Sequence, residues 1–263
     1  MSQRPGERLT QTIRDVRKER VALVAFLTAG YPHKETFRAD LTAICEEADV
    51  VEIGVPFSDP MADGMTIQRS SMAALHQGVT LHWILDELAQ MPRMNTPLVL
   101  MSYVNPLLAY GLDRLAEVCA QVGVTGFIVP DLPLEESAQF EEAFGRQGLA
   151  LVRMVTPVTP PERLKKICAS AQGFVYAVTT TGVTGKALGA EAVDPVVAAG
   201  EYLDRVRAVS PVPVCAGFGI RQASQVQALG PHTDGVIVGS AIVEVLERGE
   251  SAATLLKSLR GGA

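Results

Sequence analysis

Val50-Val51-Glu52-Ile53-Gly54-Val55 is an apolar, largely β-branched run broken by one carboxylate, and Pro56-Phe57-Ser58-Asp59-Pro60-Met61-Ala62-Asp63-Gly64 follows it directly. A strand that is apolar on both of its alternating faces belongs in a parallel sheet covered on both sides. Seven further runs read the same way: Val21–Leu27, Leu98–Met101, Gly126–Val129, Leu149–Val155, Phe174–Val178, Val214–Ala216 and Gly235–Val238. Between them lie amphipathic stretches, among them Thr36–Ala48, Leu112–Val122, Glu135–Gln147, Pro161–Ala169 and Glu201–Val209, with helical periodicity and helix start and stop signals. Eight strand–helix units predict an α/β chain folded as a single (β/α)8 TIM barrel rather than an open sheet. An extra helix is expected ahead of the first strand. No Pro-, Gly- or Ser-rich linker and no charge block divides residues 1–263, so one domain is expected.

The spacing of the runs says more than their number. Most neighbouring starts lie 21 to 29 residues apart, but 50 to 98 spans 48 residues and 174 to 214 spans 40. In both intervals the surplus begins directly after the strand, which predicts long loops after strands 2 and 6, dominated by Pro56–Thr66 and Thr179–Asp194. Loops at the C-terminal ends of the strands form the face where barrel enzymes place their chemistry.

Composition removes several classes. With 29 acidic against 23 basic residues and a net charge of −6, the chain has no phosphate-tracking surface for nucleic acid. At 48% hydrophobic it has ample core material. No run approaches the roughly 20 apolar residues of a membrane span. The polar start, Met1 to Arg8, lacks the apolar stretch of a signal peptide, and Cys45, Cys119, Cys168 and Cys215 show neither metal nor disulfide spacing. A cytoplasmic protein with four reduced thiols is expected.

Glu52 is the first candidate for chemistry. A carboxylate inside an apolar strand loses hydration, its pKa rises, and it becomes able to donate a proton near neutral pH. The structural alternative is a Glu at the strand mouth, paired with a cation or wetted. Asp63, eleven residues on, stands in a loop that can fold back over that strand end, and two carboxylates in unlike surroundings can divide acid and base roles. Alone, Asp63 also reads as a turn or helix-cap residue, and Asp59 before Pro60 reads as a turn initiator.

Near the end of the chain, Gly217-Phe218-Gly219-Ile220 follows strand 7, and Gly239-Ser240 opens the helix Ala241–Leu246 after strand 8. Backbone N–H groups at such turns and at a helix start bind phosphate, and strands 7 and 8 are the usual place for it in these barrels. Gly182-Val183-Thr184-Gly185 in the second long loop could close the same pocket. No lysine falls in a predicted strand, which argues against a Schiff base and leaves only Lys186, in a loop, as a competitor; His33, His76, His82 and His232 are scattered, so no metal site is expected. Carboxylate acid/base chemistry on a phosphate ester remains.

Phe26-Leu27-Thr28-Ala29-Gly30-Tyr31-Pro32, the block Glu52 to Gly64, Gly182-Val183-Thr184-Gly185 and Gly217-Phe218-Gly219-Ile220 together resemble the tryptophan synthase α subunit family, in order and over almost the whole chain. The resemblance implies retro-aldol cleavage of indole-3-glycerol phosphate to indole and glyceraldehyde 3-phosphate. By the same match, Glu52 would protonate indole C3 and accept the glycerol hydroxyl proton, while Asp63 would interact with the indole N–H. Phe26, Met101, Tyr103, Pro130, Val155 and Tyr176 would surround the indole or the catalytic pair. Gly185, Gly219, Gly239 and Ser240 would hold the phosphate, and Thr184 would meet the catalytic Asp on loop closure. The family further implies a β subunit partner in an αββα complex that receives the indole, with pyridoxal phosphate in that partner and no cofactor in this chain. Met65 stands where the family often has Pro, Lys186 where Arg or Ala is common, and Lys186–Asp194 is somewhat long. Two other readings stay open at this point: another sugar-phosphate barrel enzyme, and a subunit that mainly activates a partner.

Overall fold

The eight apolar runs are eight parallel strands: β1 (Ala22–Thr28), β2 (Val50–Gly54), β3 (Leu98–Met101), β4 (Val124–Ile128), β5 (Ala150–Val155), β6 (Val175–Val178), β7 (Val214–Gly217) and β8 (Gly235–Val238). They pair in sequence order, and β8 closes on β1, which makes a closed barrel. The computed structural model describes residues 4–179, 195–217 and 219–261, and within 195–197 the backbone alone.

Alternation along each strand sorts the side chains. Ala22, Val24, Val50, Val99, Ile128, Ala150, Val152, Phe174, Cys215 and Ile237 form one buried cluster inside the barrel. Their neighbours Leu23, Ala25, Val51, Ile53, Leu98, Leu100, Phe127, Leu151, Val175, Val214, Ala216, Val236 and Val238 face the surrounding helices. With both faces covered, neither face of a strand tolerates a polar residue cheaply, and that is the physical origin of the near-continuous apolar runs.

Helix α1 (Glu7–Arg17) precedes the first strand, as expected, and closes the N-terminal end of the barrel. Leu9 and Ile13, four residues apart on one face, are fully buried in the interior cluster, and Thr10 Oγ1 donates to the Gly173 carbonyl at 2.7 Å. Burying each such side chain contributes about 1.5–3 kcal/mol.

The outer layer comprises α2 (Phe37–Glu47), α3 (Met65–His76), α4 (Leu81–Ala89), α5 (Val104–Tyr110), α6 (Leu112–Val122), α7 (Ala138–Arg146), α8 (Pro161–Ala169), α9 (Pro195–Val209), α10 (Ala223–Leu229), α11 (Ser240–Glu247) and α12 (Ala252–Leu259). Local signals set several boundaries. Thr80 accepts from Trp83 N to cap α4, Ser251 accepts from Thr254 N to cap α12, and Pro161 opens α8.

Three details differ from the sequence expectation. The surplus between β2 and β3 is spent mainly on two helices, α3 and α4, so the loop itself is confined to 55–64. Helix α9 begins at Pro195, six residues before the expected Glu201. Strand β4 begins at Val124 instead of Gly126, because pairing with β3 shifts register between Leu98 and Val99 and leaves Thr125 without an opposite residue. The segment 180–194, which holds nearly all of the second expected loop, lies outside the described residues.

Candidate active site

Strand β2 carries Glu52 inward. Its register partners are Phe26 on β1 and Val99 on β3, so both lateral neighbours of the carboxyl are apolar. Glu52 is 0% exposed, and neither carboxyl oxygen has a hydrogen-bond partner among the described residues. Burial alone pushes its pKa up to about 8. At neutral pH this group is therefore a proton donor.

Glycine makes room for the aromatic walls. A Cβ on residue 54 would come within 2.5 Å of Phe26 Cζ, and one on residue 217 within 2.8 Å of Tyr176 Cε1. Any larger residue at either position would displace a ring that packs at the strand end. Tyr176 belongs to the interior cluster, and burial together with the nearby charges of Glu52 and Asp63 drives its phenol pKa upward.

Asp63 reaches this end from the 55–64 loop. The Tyr103 hydroxyl donates to Asp63 Oδ2 at 3.1 Å and accepts from Ala62 N at 2.9 Å, which ties the carboxylate and its own loop to the N-cap residue of α5. Phe57 stacks on the Tyr103 ring at 5.0 Å between centroids. Burial raises the Asp63 pKa to about 6, and the Tyr103 hydrogen bond opposes that rise. At pH 7 Asp63 is mostly a carboxylate while Glu52 is mostly protonated. Unlike surroundings have separated two like groups into an acid and an acceptor.

A small cavity beside Asp63 is lined by Phe26, Thr28, Gly54, Val55, Ile67, Ser71, Met101 and Tyr103. Four of the expected site residues, Phe26, Asp63, Met101 and Tyr103, therefore meet around one space. Ile67 and Ser71 were not anticipated, because they arrive on α3, one turn apart; their spacing of four is the signal that could have revealed them. Pro130 lies elsewhere, lining a separate cavity of about 330 Å³ between the ends of β4 and β5. Val155 points outward and is 1% exposed in the cluster under the helices, whereas its neighbour Met154 packs against the interior cluster.

The expected phosphate groups fall after β7 and β8. Gly219 adopts φ +66, a left-handed conformation that favours glycine. Helix α11 starts at Ser240, and no side chain caps it at Gly239, so the Ser240 and Ala241 N–H groups stay available to an anion while Ile242 N donates to Gly239 O. Thr184, Gly185 and the Lys186–Asp194 segment lie outside the described residues. Asp59 is exposed and sits in the turn, where its carbonyl accepts from Met61 N at 2.9 Å. Among the described residues no group of three His, Cys, Asp or Glu side chains could hold a metal ion, and no helix is long and apolar enough to cross a membrane. All four cysteines are free and buried.

Fold and site define a class: a (β/α)8 barrel with a desolvated carboxyl at its C-terminal mouth and uncapped backbone N–H groups after its last strand. A family model described as tryptophan synthase alpha chain matches residues 13–260. The tryptophan synthase alpha chain of Nitratidesulfovibrio vulgaris is 42% identical over 256 residues, covering 96% of this chain and 98% of that protein. That of Geobacter sulfurreducens is 43% identical over 249 residues, covering 92% of each. Among solved structures, Mycobacterium tuberculosis tryptophan synthase superposes with a TM-score of 0.87 at 38% identity and 97% coverage of both chains. The alpha subunit from Legionella pneumophila gives a TM-score of 0.85 at 28% identity, covering 99% of this chain and 98% of that one. The chain belongs to the tryptophan synthase alpha chain family, and with it to the enzymes of tryptophan synthesis.

Proposed function

We propose that the chain cleaves indole-3-glycerol phosphate to indole and glyceraldehyde 3-phosphate, a carbon–carbon lyase reaction of the retro-aldol type, and delivers the indole to a β subunit. The observation that carries this is the fully buried Glu52, unpartnered among the described residues and with its pKa raised by burial to about 8. Cleavage requires C3 of the indole to gain a proton so that the ring can accept the electrons of the C3–C1′ bond and regain its aromaticity as indole leaves. Glu52 as the acid donates that proton. Its carboxylate then takes the proton of the glycerol hydroxyl as the carbonyl forms, and the bond breaks between C3 and the side chain. Asp63, ionised at this pH, accepts the indole N–H and stabilises the positive charge that develops on the ring. Positioned proton transfers of this kind contribute about 10²–10⁴ each in rate.

Phe26, Met101, Tyr103 and Tyr176 supply the surfaces for the ring; Pro130 lines the neighbouring cavity and Val155 faces the helices, so neither forms part of that surface on this reading. Gly219, Gly239 and Ser240 offer backbone N–H groups to the phosphate, joined by Gly185, and Thr184 meets Asp63 on closure. On this reading the chain works in the cytoplasm without a cofactor of its own, pyridoxal phosphate resides in the β partner, and the assembly is αββα.

The test is direct. Purified chain is incubated with indole-3-glycerol phosphate, with and without a β subunit, and indole is measured. Indole should appear in both arms and faster with the partner. No indole in either arm, from chain that is folded by circular dichroism, would overturn the assignment.

A further inference from the structure

The N-terminal end of the barrel holds a second concave site, on the face away from Glu52 and Asp63. It has a volume of about 250 Å³ and is bounded by Arg14, Arg17, Arg207, Ser210, Asp234 and the apolar strip Pro211–Val214. Each of the three guanidiniums is already anchored by one N–H on a backbone carbonyl. Arg14 donates to Pro211 O at 2.8 Å, Arg17 to Gly230 O at 2.9 Å and Arg207 to Pro231 O at 3.0 Å. A guanidinium has five N–H groups, so anchoring leaves donors over and removes the entropic cost of ordering the side chain.

The charge does not balance. Among the described residues Asp234 is the only carboxylate lining the site, and its two oxygens are spread over three partners. Oδ2 accepts from Val214 N at 2.8 Å, while Oδ1 lies 3.3 Å from Arg207 and 3.8 Å from Arg17. Arg17 Nε is buried and makes no hydrogen bond. Arg14 has no carboxylate partner among the described residues. Of the other acids on α1 and α9, Asp15 is committed to Lys18 and Gln11, Asp204 to His232, and Glu7 and Glu201 do not line the site. Three positive groups face one negative group in a chain whose net charge is −6.

Stability alone does not call for this arrangement. Placing Arg14 and Arg17 in the last turn of α1 complements its dipole, but the same benefit is available to side chains that point into solvent. Gathering them with Arg207 from α9 costs mutual repulsion that a bound dianion would cancel.

We infer that this is an anion site for the phosphoryl group of a small molecule, formed by Arg14, Arg17 and Arg207 and independent of the phosphate groups at the barrel mouth. The forked guanidiniums suit phosphate oxygens, and Pro211, Val212 and Pro213 offer an apolar wall to whatever the phosphoryl group carries.

The experiment uses the whole chain and inorganic pyrophosphate as probe, with affinity from calorimetry and location from amide chemical shifts. Binding should move the Arg17, Val212 and Val214 amides, weaken by about tenfold or more in Arg14→Gln, and persist in Arg14→Lys, which keeps the charge. Indole release, as proposed above, should proceed in Arg14→Gln at the wild-type rate, and its midpoint of thermal unfolding without probe should match wild type within a few degrees. Unchanged affinity in Arg14→Gln, shifts confined to Gly219, Gly239 and Ser240, or no binding would overturn the inference. These outcomes bear on the N-terminal site alone, because absence of indole release would leave the pyrophosphate result standing.

Discussion

Strand β2 has one carboxyl just before it, Asp49, and one at its middle, Glu52, and the two are treated in opposite ways. Asp49, just before the strand, is held by Arg20 through bonds of 2.6 and 2.7 Å, accepts from Leu23 N at 2.8 Å, and has Arg260 at 3.5 Å. Glu52, three residues on, has no hydrogen-bond partner among the described residues. Asp49 stitches the start of β2 to the start of β1 and to the end of α12. Glu52 is left between apolar neighbours inside the barrel, where it costs stability. The N-terminal end of the barrel thus gathers paired charge and the C-terminal end keeps uncompensated carboxyls, the division expected when one face serves folding and the other serves chemistry. The arginine site is the exception on the folding face, since its positive charge exceeds what Asp234 can neutralise.

Substitutions at the two ends should therefore fail in different ways. The largest effect is expected from Glu52→Gln, which keeps shape but removes the proton: kcat for indole release should fall by about 10²–10⁴ or more, with substrate binding retained. If that variant turned over normally, Glu52 would not be the acid.

The same substitution should also stabilise the protein, and the gain should depend on pH. The Glu52 pKa rises from 4.5 to about 8 on folding, so between those values the folded chain holds a proton that the unfolded chain has released. Wild type therefore loses stability as pH rises through that window, whereas the Gln variant does not. The difference should grow by roughly 1 kcal/mol per pH unit, read from urea unfolding at pH 5 and pH 8. A variant equally affected at both pH values would mean that Glu52 is not desolvated.

Asp49→Asn should do the reverse, lowering stability by about 1–3 kcal/mol because it unpairs Arg20, while the rate per folded molecule stays the same. A loss of rate without a loss of stability would break the contrast between the ends.

The smallest expected effect is on the pH profile. kcat/KM should be bell-shaped, with the acid limb near 6 from Asp63 and the basic limb near 8 from Glu52. Because the Tyr103 hydroxyl stabilises ionised Asp63, Tyr103→Phe should move the acid limb to higher pH, by less than about one unit, and leave the basic limb in place. A fixed acid limb in that variant would show that Tyr103 does not set the Asp63 titration.

The barrel was legible because burial on both faces writes itself into the chain as apolar runs, and the eight runs match the eight strands to within one or two residues. Glu52 was legible for the same reason, as a single charge in a place that tolerates none. The helices between β2 and β3 were harder to see. Pro56–Gly64 opens that interval with turn residues, and the periodicity of α3, with polar Gln68, Ser70 and Ser71 on its inner side, is weak. Ser70 is nonetheless fully buried, its hydroxyl 2.7 Å from Thr28 Oγ1, a partner 42 positions away that no local pattern announces.

What the sequence determined by itself was the order of the eight strands, the closed barrel they build and the two carboxyls that burial perturbs, because these follow from local pattern and burial. What only the tertiary structure decided was which groups meet. Tyr103 reaching Asp63 across 40 positions, Val155 facing the helices while Met154 faces the interior, and Arg14 and Arg17 meeting Arg207 beneath the barrel all depend on closure of the sheet. Closure brings distant segments to one point, and that geometry is a property of the whole ring of strands, not of any stretch of chain within it.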